Sequence, residues 1–176
     1  WGDANCGGNF APAIKRCGYD GMFFTGASKQ PVYLFLRKGK AELRDAAHLW
    51  GKDAVEAEKL IVEESGGKGK VAVIGPAGEN LVRWANVMTG IKNAGGRTGM
   101  GCVMGAKNLK AIVVRGTGKP EAANPGAFNE WVRATIRDEM RDNDYVKGFR
   151  TGGTAASIPW ADVEGLLPTR NFQRGS

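Results

Sequence analysis

Residues 93–110 read NAGGRTGMGCVMGAKNLK, and this stretch constrains the fold more than any other. Five glycines fall within 11 positions here, together with the cations Arg97, Lys107 and Lys110. Glycine lets the backbone adopt positive φ and approach a ligand closely. A helix that begins after such a loop directs free N–H groups at an anion, and arginine binds phosphate with a planar fork. The stretch therefore predicts a cradle for a phosphate-bearing cofactor. The alternative is a glycine-rich turn that only packs tightly.

Composition favours one globular domain with an anionic partner. Of the 176 residues, 42% are hydrophobic and 24% are charged, which is ordinary for a chain that buries a core. The net charge of +7 predicts an anionic ligand or partner. The basic residues form no long run and do not alternate with aromatics, so a basic nucleic-acid-binding module is only an alternative interpretation. That charge pattern leads us to expect no nucleic acid as partner. No apolar stretch reaches the ~18 residues that cross a bilayer, so we expect no membrane as partner either.

The cysteines and the single histidine exclude several common sites. Cys6, Cys17 and Cys102 form no C-x-x-C pair and no disulfide framework, which predicts a reduced, cytoplasmic protein. His48 alone disfavours a zinc site or a Ser/His/Asp triad. The glycine spacing does not match a dinucleotide fingerprint, and no G-K-[ST] sequence occurs. The chain begins at Trp1 and ends after a turn-rich segment, so we expect it to be a fragment.

Hydrophobic patterning predicts short helices mixed with strands. Residues 53–64 form the clearest helix, with Asp53 as N-cap and Val55, Leu60 and Ile61 on the buried side. Residues 81–89 fit either a strand or a helix. The other predicted elements are a helix at 11–16, a buried strand at 21–25, a hairpin of 32–36 with 41–44, strands at 71–74 and 111–114, and an amphipathic helix at 127–141.

Two segments share one design. Residues 8–26 and residues 99–116 each run from a glycine turn through a short basic helix to an apolar strand closed by glycine. We expect the first helix to carry Lys15 and Arg16 and the second to carry Lys107 and Lys110. A duplicated half-domain would place two anion-binding turns around a pseudo-twofold axis, which suits a ligand with two phosphate-bearing halves. The alternative is chance, because units of loop, helix and strand are common.

Six blocks of sequence occur in an order that resembles a known family. They are ANCGG at 4–8, GYD at 18–20, RDA at 44–46 with WGK at 50–52, IGPAGEN at 74–80, GCVMGAKNLKA at 101–111 and NFQ at 171–173. Together they resemble the N-terminal domain of the tungsten-containing aldehyde:ferredoxin oxidoreductase family. The resemblance implies an α+β fold with mixed β-sheets in two pseudo-twofold-related halves, which forms the base for a bis-pterin cofactor. Residues 1–176 would then be a partial pterin-cofactor-binding domain, with the later iron–sulfur and substrate domains absent.

The resemblance also implies a set of cofactor ligands. In this family tungsten, or molybdenum in some relatives, is held by two pterins whose phosphates are bridged by Mg²⁺. The backbone carbonyls of Asn5 and Ala94 match the family's magnesium ligands, and hard oxygen ligands suit this ion. Four further positions match residues that contact the pterins: Gly7, Asn93, Gly96 and Arg97. The family usually has arginine where this chain has Asn93, so the neighbouring Lys92 would supply the charge.

The activity implied by the resemblance is aldehyde oxidation. The whole enzyme would convert an aldehyde to a carboxylic acid and pass electrons through a [4Fe-4S] cluster to ferredoxin or an iron–sulfur electron-transfer subunit, within an oligomer. The cluster ligands and the catalytic residues would lie outside this chain, so the fragment would be inactive alone. The closest alternative is the active-site subunit of a class II benzoyl-CoA reductase-like relative. The block at 74–80 favours the aldehyde enzymes.

Overall fold

A computed structural model describes all 176 residues, which divide into two compact units, Trp1–Pro120 and Glu121–Ser176. The first unit contains six strands, four α-helices and one 3₁₀ turn. In chain order these are α1 (Phe10–Arg16), β1 (Val32–Arg37), β2 (Lys40–Asp45), the 3₁₀ turn (Ala47–Leu49), α2 (Ala54–Glu64), β3 (Lys70–Val73), α3 (Pro76–Glu79), β4 (Val87–Thr89), β5 (Asn93–Gly95), α4 (Met100–Ala106) and β6 (Leu109–Arg115).

The six strands form one mixed sheet in the order β2-β1-β6-β3-β4-β5. Strands β1 and β6 are parallel, whereas every other neighbouring pair is antiparallel. This arrangement of a mixed sheet with short helices confirms the α+β fold class. The pseudo-twofold relation between two halves stays a prediction.

Both faces of the central strands are buried. Alternate residues of β1, β3 and β6 point to opposite faces. Helix α2 covers one face, and α1 and α4 cover the other. Under α2 lie Tyr33, Phe35, Val71, Val73, Ala111 and Val113, packed against Ala57 and Ile61. The opposite core beside α1 contains Leu34, Leu36, Leu109, Val114, Ala13 and Cys17. Strands that are buried on both faces need continuous apolar runs, which is why these three strands were correctly predicted.

The hairpin between β1 and β2 confirms its prediction and has a two-residue turn. Arg37 pairs with Lys40, so only Lys38 and Gly39 connect the strands. Both connecting residues have positive φ, 49° and 73°. Positive φ at both central residues is typical of a type I′ turn, which matches the right-handed twist of paired strands.

Helix α2 begins at its predicted cap. One carboxylate oxygen of Asp53 accepts hydrogen bonds from the backbone N–H groups of Val55 and Glu56, each at 2.8 Å. Such a cap satisfies donors that have no partner within the helix. Ile61 is buried as predicted. The prediction that Val55 is buried is wrong, because Val55 is 51% exposed. Ala57 takes the buried position instead.

The predicted strand at 21–25 is wrong. The segment forms no strand, and Phe23 is fully exposed. Met22 and Phe24 pack against the core beside α1. Side-chain packing on alternate residues therefore accounts for the apolar run without a hydrogen-bonded neighbour. The first copy of the proposed loop–helix–strand repeat consequently lacks its strand.

The hairpin of β4 and β5 was not predicted, and its turn contains a β-branched residue in an unfavourable conformation. Gly90, Ile91 and Lys92 connect the strands, and φ is 58° at Gly90 and 63° at Ile91. A β-branched residue rarely adopts this left-handed region. Since Ile91 is 53% exposed, its side chain contributes little burial to offset that cost.

We therefore expect Ile91→Gly to raise the free energy of unfolding by about 1 kcal/mol. Urea denaturation of the variant and the parent chain measures the difference. Ile91→Ala is the matched control, because it removes the same side chain but keeps a Cβ at positive φ. Equal stability of the two variants would contradict the assignment of strain to this residue.

The second unit consists of short helices. They are α5 (Pro125–Trp131), a π-helical stretch (Val132–Glu139), α6 (Asp144–Gly152), a 3₁₀ turn (Gly153–Ser157) and α7 (Ile158–Val163). The predicted helix at 127–141 thus exists, but it changes from α to π geometry after Trp131. Asn124 caps its start by accepting a hydrogen bond from the N–H of Ala127 at 3.0 Å. No helix anywhere in the chain is both long enough and apolar enough to cross a membrane.

Candidate functional site

The N-terminal segment lies beside edge strand β5 and the residues that follow this strand. Thr98 Oγ1 donates a hydrogen bond to the backbone carbonyl of Asp3 at 2.9 Å. A Cβ built on Gly95 would lie 3.7 Å from the Cβ of Ala4. These contacts arrange the first residues of the chain antiparallel to the glycine-rich stretch. The two glycine turns predicted to bind a cofactor are therefore neighbours in space.

A second group of contacts fixes the turn that precedes α1. The Sγ atom of Cys6 and the Oγ1 atom of Thr89 lie 3.2 Å apart. The side chain of Asn93 crosses the turn, since a Cβ built on Gly8 would lie 2.6 Å from its Nδ2 atom and one on Gly7 would lie 3.7 Å from its Oδ1 atom. Gly8 also has a φ of 92°. Glycine at this position thus provides both the backbone conformation and the space for Asn93.

The predicted cofactor residues lie on these two adjoining segments. Asn5 lies between Ala4 and Cys6, whose contacts are with β5 and β4, and Ala94 is the central residue of β5. Asn5, Gly7, Gly96 and Arg97 are exposed, whereas Asn93 and Ala94 are half-buried. A Cβ built on Gly96 would meet no atom within 4 Å. The structure therefore brings together two turns with backbone close to open space. The binding roles of these residues stay predictions.

Arg97 is the one cation of the glycine-rich stretch that has no ionic or hydrogen-bonding partner for its side chain. It takes part in none of the ion pairs of the chain. Its neighbour Thr98 contacts only its backbone carbonyl, at 2.7 Å. An exposed guanidinium without a carboxylate partner can bind an anion without first breaking an ion pair.

Gly99, Gly101 and Gly105, at the start of α4 and within it, allow close packing of the backbone and do not border open space. A Cβ on Gly99 would overlap the carbonyl oxygen of Arg83, and one on Gly105 would overlap that of Gly78. Gly101 is similarly close to the carbonyl oxygen of Asn86. For these positions the alternative interpretation, a glycine-rich segment that packs tightly, is the one that the structure supports. The candidate cradle is limited to residues 93–97.

Lys107 and Lys110 are also engaged in the fold. The prediction of a helix that carries both residues is wrong, because α4 ends at Ala106 and Lys110 belongs to β6. Lys107 Nζ donates a hydrogen bond to the carbonyl of Gly26 at 2.9 Å. Lys110 is the extra residue of a β-bulge, where the β1–β6 register shifts.

The bulge directs Lys110 into a buried ion pair with Glu79. The relative exposure of the two side chains is 0% and 4%. Lys110 Nζ also donates a hydrogen bond to the carbonyl of Lys52 at 2.8 Å, and Glu79 Oε2 accepts one from the N–H of Gly51 at 2.8 Å. Three of the sequence blocks thus meet at one buried pair. Their residues connect β6, α3 and the loop before α2, a structural function that sequence reasoning did not identify.

Comparisons with known proteins agree with the geometry. Residues 1–116 match the family described as "Aldehyde ferredoxin oxidoreductase, N-terminal domain". The "Tungsten-containing aldehyde ferredoxin oxidoreductase" of Pyrococcus abyssi is 46% identical over 98% of this chain and 28% of its own length. The "Aliphatic sulfonate oxidoreductase, WOR-like subunit" of Pyrococcus furiosus is 36% identical over 91% of this chain and 27% of its own length.

A solved structure has the same fold. The "Active site complex BamBC of Benzoyl Coenzyme A reductase in complex with 1,5 Dienoyl-CoA" superposes with a TM-score of 0.69 and 38% identity. The superposition covers 80% of this chain and 22% of that chain. The chain thus spans less than a third of the length of its relatives. The family match covers residues 1–116 and therefore includes both the candidate cradle and the buried ion pair. Because this match covers more than half of the chain, the chain belongs to the aldehyde ferredoxin oxidoreductase family, as part of its N-terminal domain.

Proposed function

We propose that this chain is the pterin-binding base of a tungsten-dependent aldehyde oxidoreductase. The observation that carries the proposal is the hydrogen bond between Asp3 of the N-terminal segment and Thr98, which follows β5; these residues are 95 positions apart in sequence. Several relatives are named as tungsten-containing enzymes. Two adjoining turns with open backbone fit a cofactor made of two similar phosphate-bearing parts.

The backbone carbonyls of Asn5 and Ala94 are the proposed protein ligands of Mg²⁺. Magnesium prefers hard oxygen ligands, and it is usually bound through one or two protein groups together with phosphates and water. Asn5 is exposed and Ala94 is half-buried on the adjoining segment. The two carbonyls would supply neutral oxygen ligands and would leave the other positions of the ion to phosphate oxygens and water.

The pterin contacts are proposed for Gly7, Asn93, Gly96 and Arg97. The open space at Gly96 allows the backbone to approach a ligand, which a side chain would prevent. Arg97 would bind phosphate through its planar fork. Asn93, held across the turn at Gly8, would offer a neutral amide where the family resemblance implies arginine. Lys92, which is exposed beside it, would supply the missing charge.

The proposal assigns binding and orientation to this chain. When bound, the tungsten–pterin group would supply the two-electron chemistry that converts an aldehyde to a carboxylic acid. The residues of this chain would fix the phosphates of that group against the sheet edge. We further propose that the [4Fe-4S] ligands lie outside this chain, that ferredoxin or an iron–sulfur subunit accepts the electrons, and that the enzyme is a cytoplasmic oligomer.

Two variants test the cofactor site in the intact protein. We expect Arg97→Ala to lower tungsten and pterin content per protein, because losing a charge-assisted contact weakens binding roughly tenfold or more. Gly96→Val is expected to lower both contents as well, since a side chain would enter the open space. Metal analysis and fluorescence of released pterin measure the outcome.

The controls are Arg133→Ala, an exposed arginine of the second unit, and Gly21→Val, whose new side chain also meets open space. Both controls should retain the parent's tungsten and pterin. Intact protein that contains neither tungsten nor pterin would contradict the proposed function. Full cofactor content in both test variants would contradict the assigned site.

A second candidate function is supported by the solved neighbour. The 38% identity to the benzoyl-CoA reductase complex makes a reductase-type active-site subunit the main alternative. The aldehyde enzymes are favoured because the P. abyssi relative is 46% identical and covers 98% of this chain, against 80% for the reductase complex. Activity of the intact protein with aldehydes and with aromatic acyl-CoA thioesters would distinguish the two.

A further inference from the structure

A cleft of about 440 Å³ opens beside β3. Strand β4 pairs with β3 only at Ala72 and Val73, so Lys70 and Val71 have no strand on that side. The chain turns away at Gly90, which lies on the wall of the cleft. Ligand pockets typically have volumes of about 300–1,000 Å³, so the cleft has room for a ligand of nucleotide size.

Three lysines from separate elements line this cleft. Lys68 belongs to the loop after α2, Lys70 begins β3, and Lys92 belongs to the turn between β4 and β5. None of the three takes part in an ion pair of the chain. Like charges around one concave surface raise the local concentration of anions. The lysines therefore predict a negatively charged ligand.

Glu58 of α2 adds a different polar group to the same cleft. It is the only carboxylate among the lining residues, and its Oε2 atom is buried without a hydrogen-bond partner. Burial raises the pKa of this carboxyl. Hydrogen bonds from the backbone of Ile91 and Gly90 to the carboxyl group, and the positive charge of Lys70, lower the same pKa by less. Because Glu58 lines the cleft and is only half-buried as a residue, its carboxylate group is placed to accept a hydrogen bond from a hydroxyl or amino group of a ligand.

We propose that this cleft is a second ligand site, which binds a small phosphate ester with its phosphate against the lysines and a hydroxyl or amino group against Glu58. The site is separate from Asn5, Gly7, Ala94, Gly96 and Arg97, and it shares two residues with the proposed pterin site, Asn93 at its rim and Lys92. The lysines that belong to this cleft alone are Lys68 and Lys70. The proposal does not depend on the proposed function, because it rests on the charge and shape of this cleft alone.

Calorimetric titration of the intact holoprotein tests the site with adenosine 5′-monophosphate and with inorganic phosphate as probes. The monophosphate should bind the parent at one site and bind more tightly than phosphate. The double variant Lys68→Gln/Lys70→Gln should bind the monophosphate about tenfold or more weakly, since two charge-assisted contacts are lost. Glu58→Gln should reduce the preference for the monophosphate over phosphate, because the charged acceptor is lost.

Lys59→Gln/Lys119→Gln is the matched control, because it removes two exposed cations that do not line the cleft. It should change the affinity by no more than about twofold. No binding to the parent protein, or an equal loss in the control, would overturn the proposal. A loss of tungsten and pterin in Lys68→Gln/Lys70→Gln would also overturn it, because the lysines would then belong to the pterin site. Unchanged cofactor content with lost monophosphate binding would support a separate site.

Discussion

Replacing Lys110 with methionine is expected to lower the free energy of unfolding by about 3–5 kcal/mol. Methionine fills similar space but leaves the carboxylate of Glu79 buried without its cation. Glu79 is only 4% exposed, and the N–H of Gly51 would be its one remaining hydrogen-bond donor. A buried charge without its counter-ion costs several kcal/mol. Urea denaturation of the variant and the parent measures the loss.

Two further variants separate the ion pair from a general effect of losing a lysine. Lys59→Met, on the exposed side of α2, should change the free energy of unfolding by about 0.5 kcal/mol or less. Adding Glu79→Gln to Lys110→Met should recover part of the stability, because the uncompensated charge is removed. A loss below about 1 kcal/mol in Lys110→Met would contradict the buried pair.

Gly105→Ala is expected to destabilise the chain by about 3 kcal/mol or more, although alanine favours helices by about 1 kcal/mol. The new Cβ would overlap the carbonyl group of Gly78, which belongs to α3. Because the obstacle is backbone, no side-chain rotation relieves the overlap, and α3 and α4 must separate. Thermal denaturation and urea denaturation both report this change.

The matched control for this variant is Gly148→Ala in α6. A Cβ at that position would meet no atom within 4 Å, so alanine should preserve or slightly increase stability there. Gly105→Ala should also lower the tungsten content of the intact protein, since α4 directly follows the candidate cradle. Parent-like stability of Gly105→Ala would show that α3 and α4 are not packed backbone to backbone.

Elements with strong local determinants could be predicted from the sequence. The apolar runs of β1, β3 and β6 occur because these strands are buried on both faces. The turn at Lys38 and Gly39 and the cap at Asp53 depend on residues next to each other in the chain. In each case the physical cause lies within a few residues, where sequence patterns are informative.

Elements that depend on distant partners could not be predicted. Strand β5 contains only Asn93, Ala94 and Gly95, which have low strand propensity, and it forms because Met88 of β4 pairs with Ala94. Lys110 follows a glycine-rich helix and resembles a surface cation. Its burial requires both the bulge of β6 and Glu79, which is 31 positions away.

The candidate site also depends on contacts between residues that are distant in sequence. Glycine content alone did not distinguish Gly96, which borders open space, from Gly99 and Gly105, which contact backbone. Only the tertiary contacts separate these functions. The proximity of the two turns was predicted from the internal repeat of loop, helix and strand and from the family resemblance, because no local pattern relates Asp3 to Thr98.

A crystal structure of the intact protein with its cofactor tests the central claim most directly. We expect one Mg²⁺ at about 2.1 Å from the backbone carbonyl oxygens of both Asn5 and Ala94, with a pterin phosphate beside Arg97. Pterin phosphates bound elsewhere, or a magnesium ion that contacts neither carbonyl, would contradict the account.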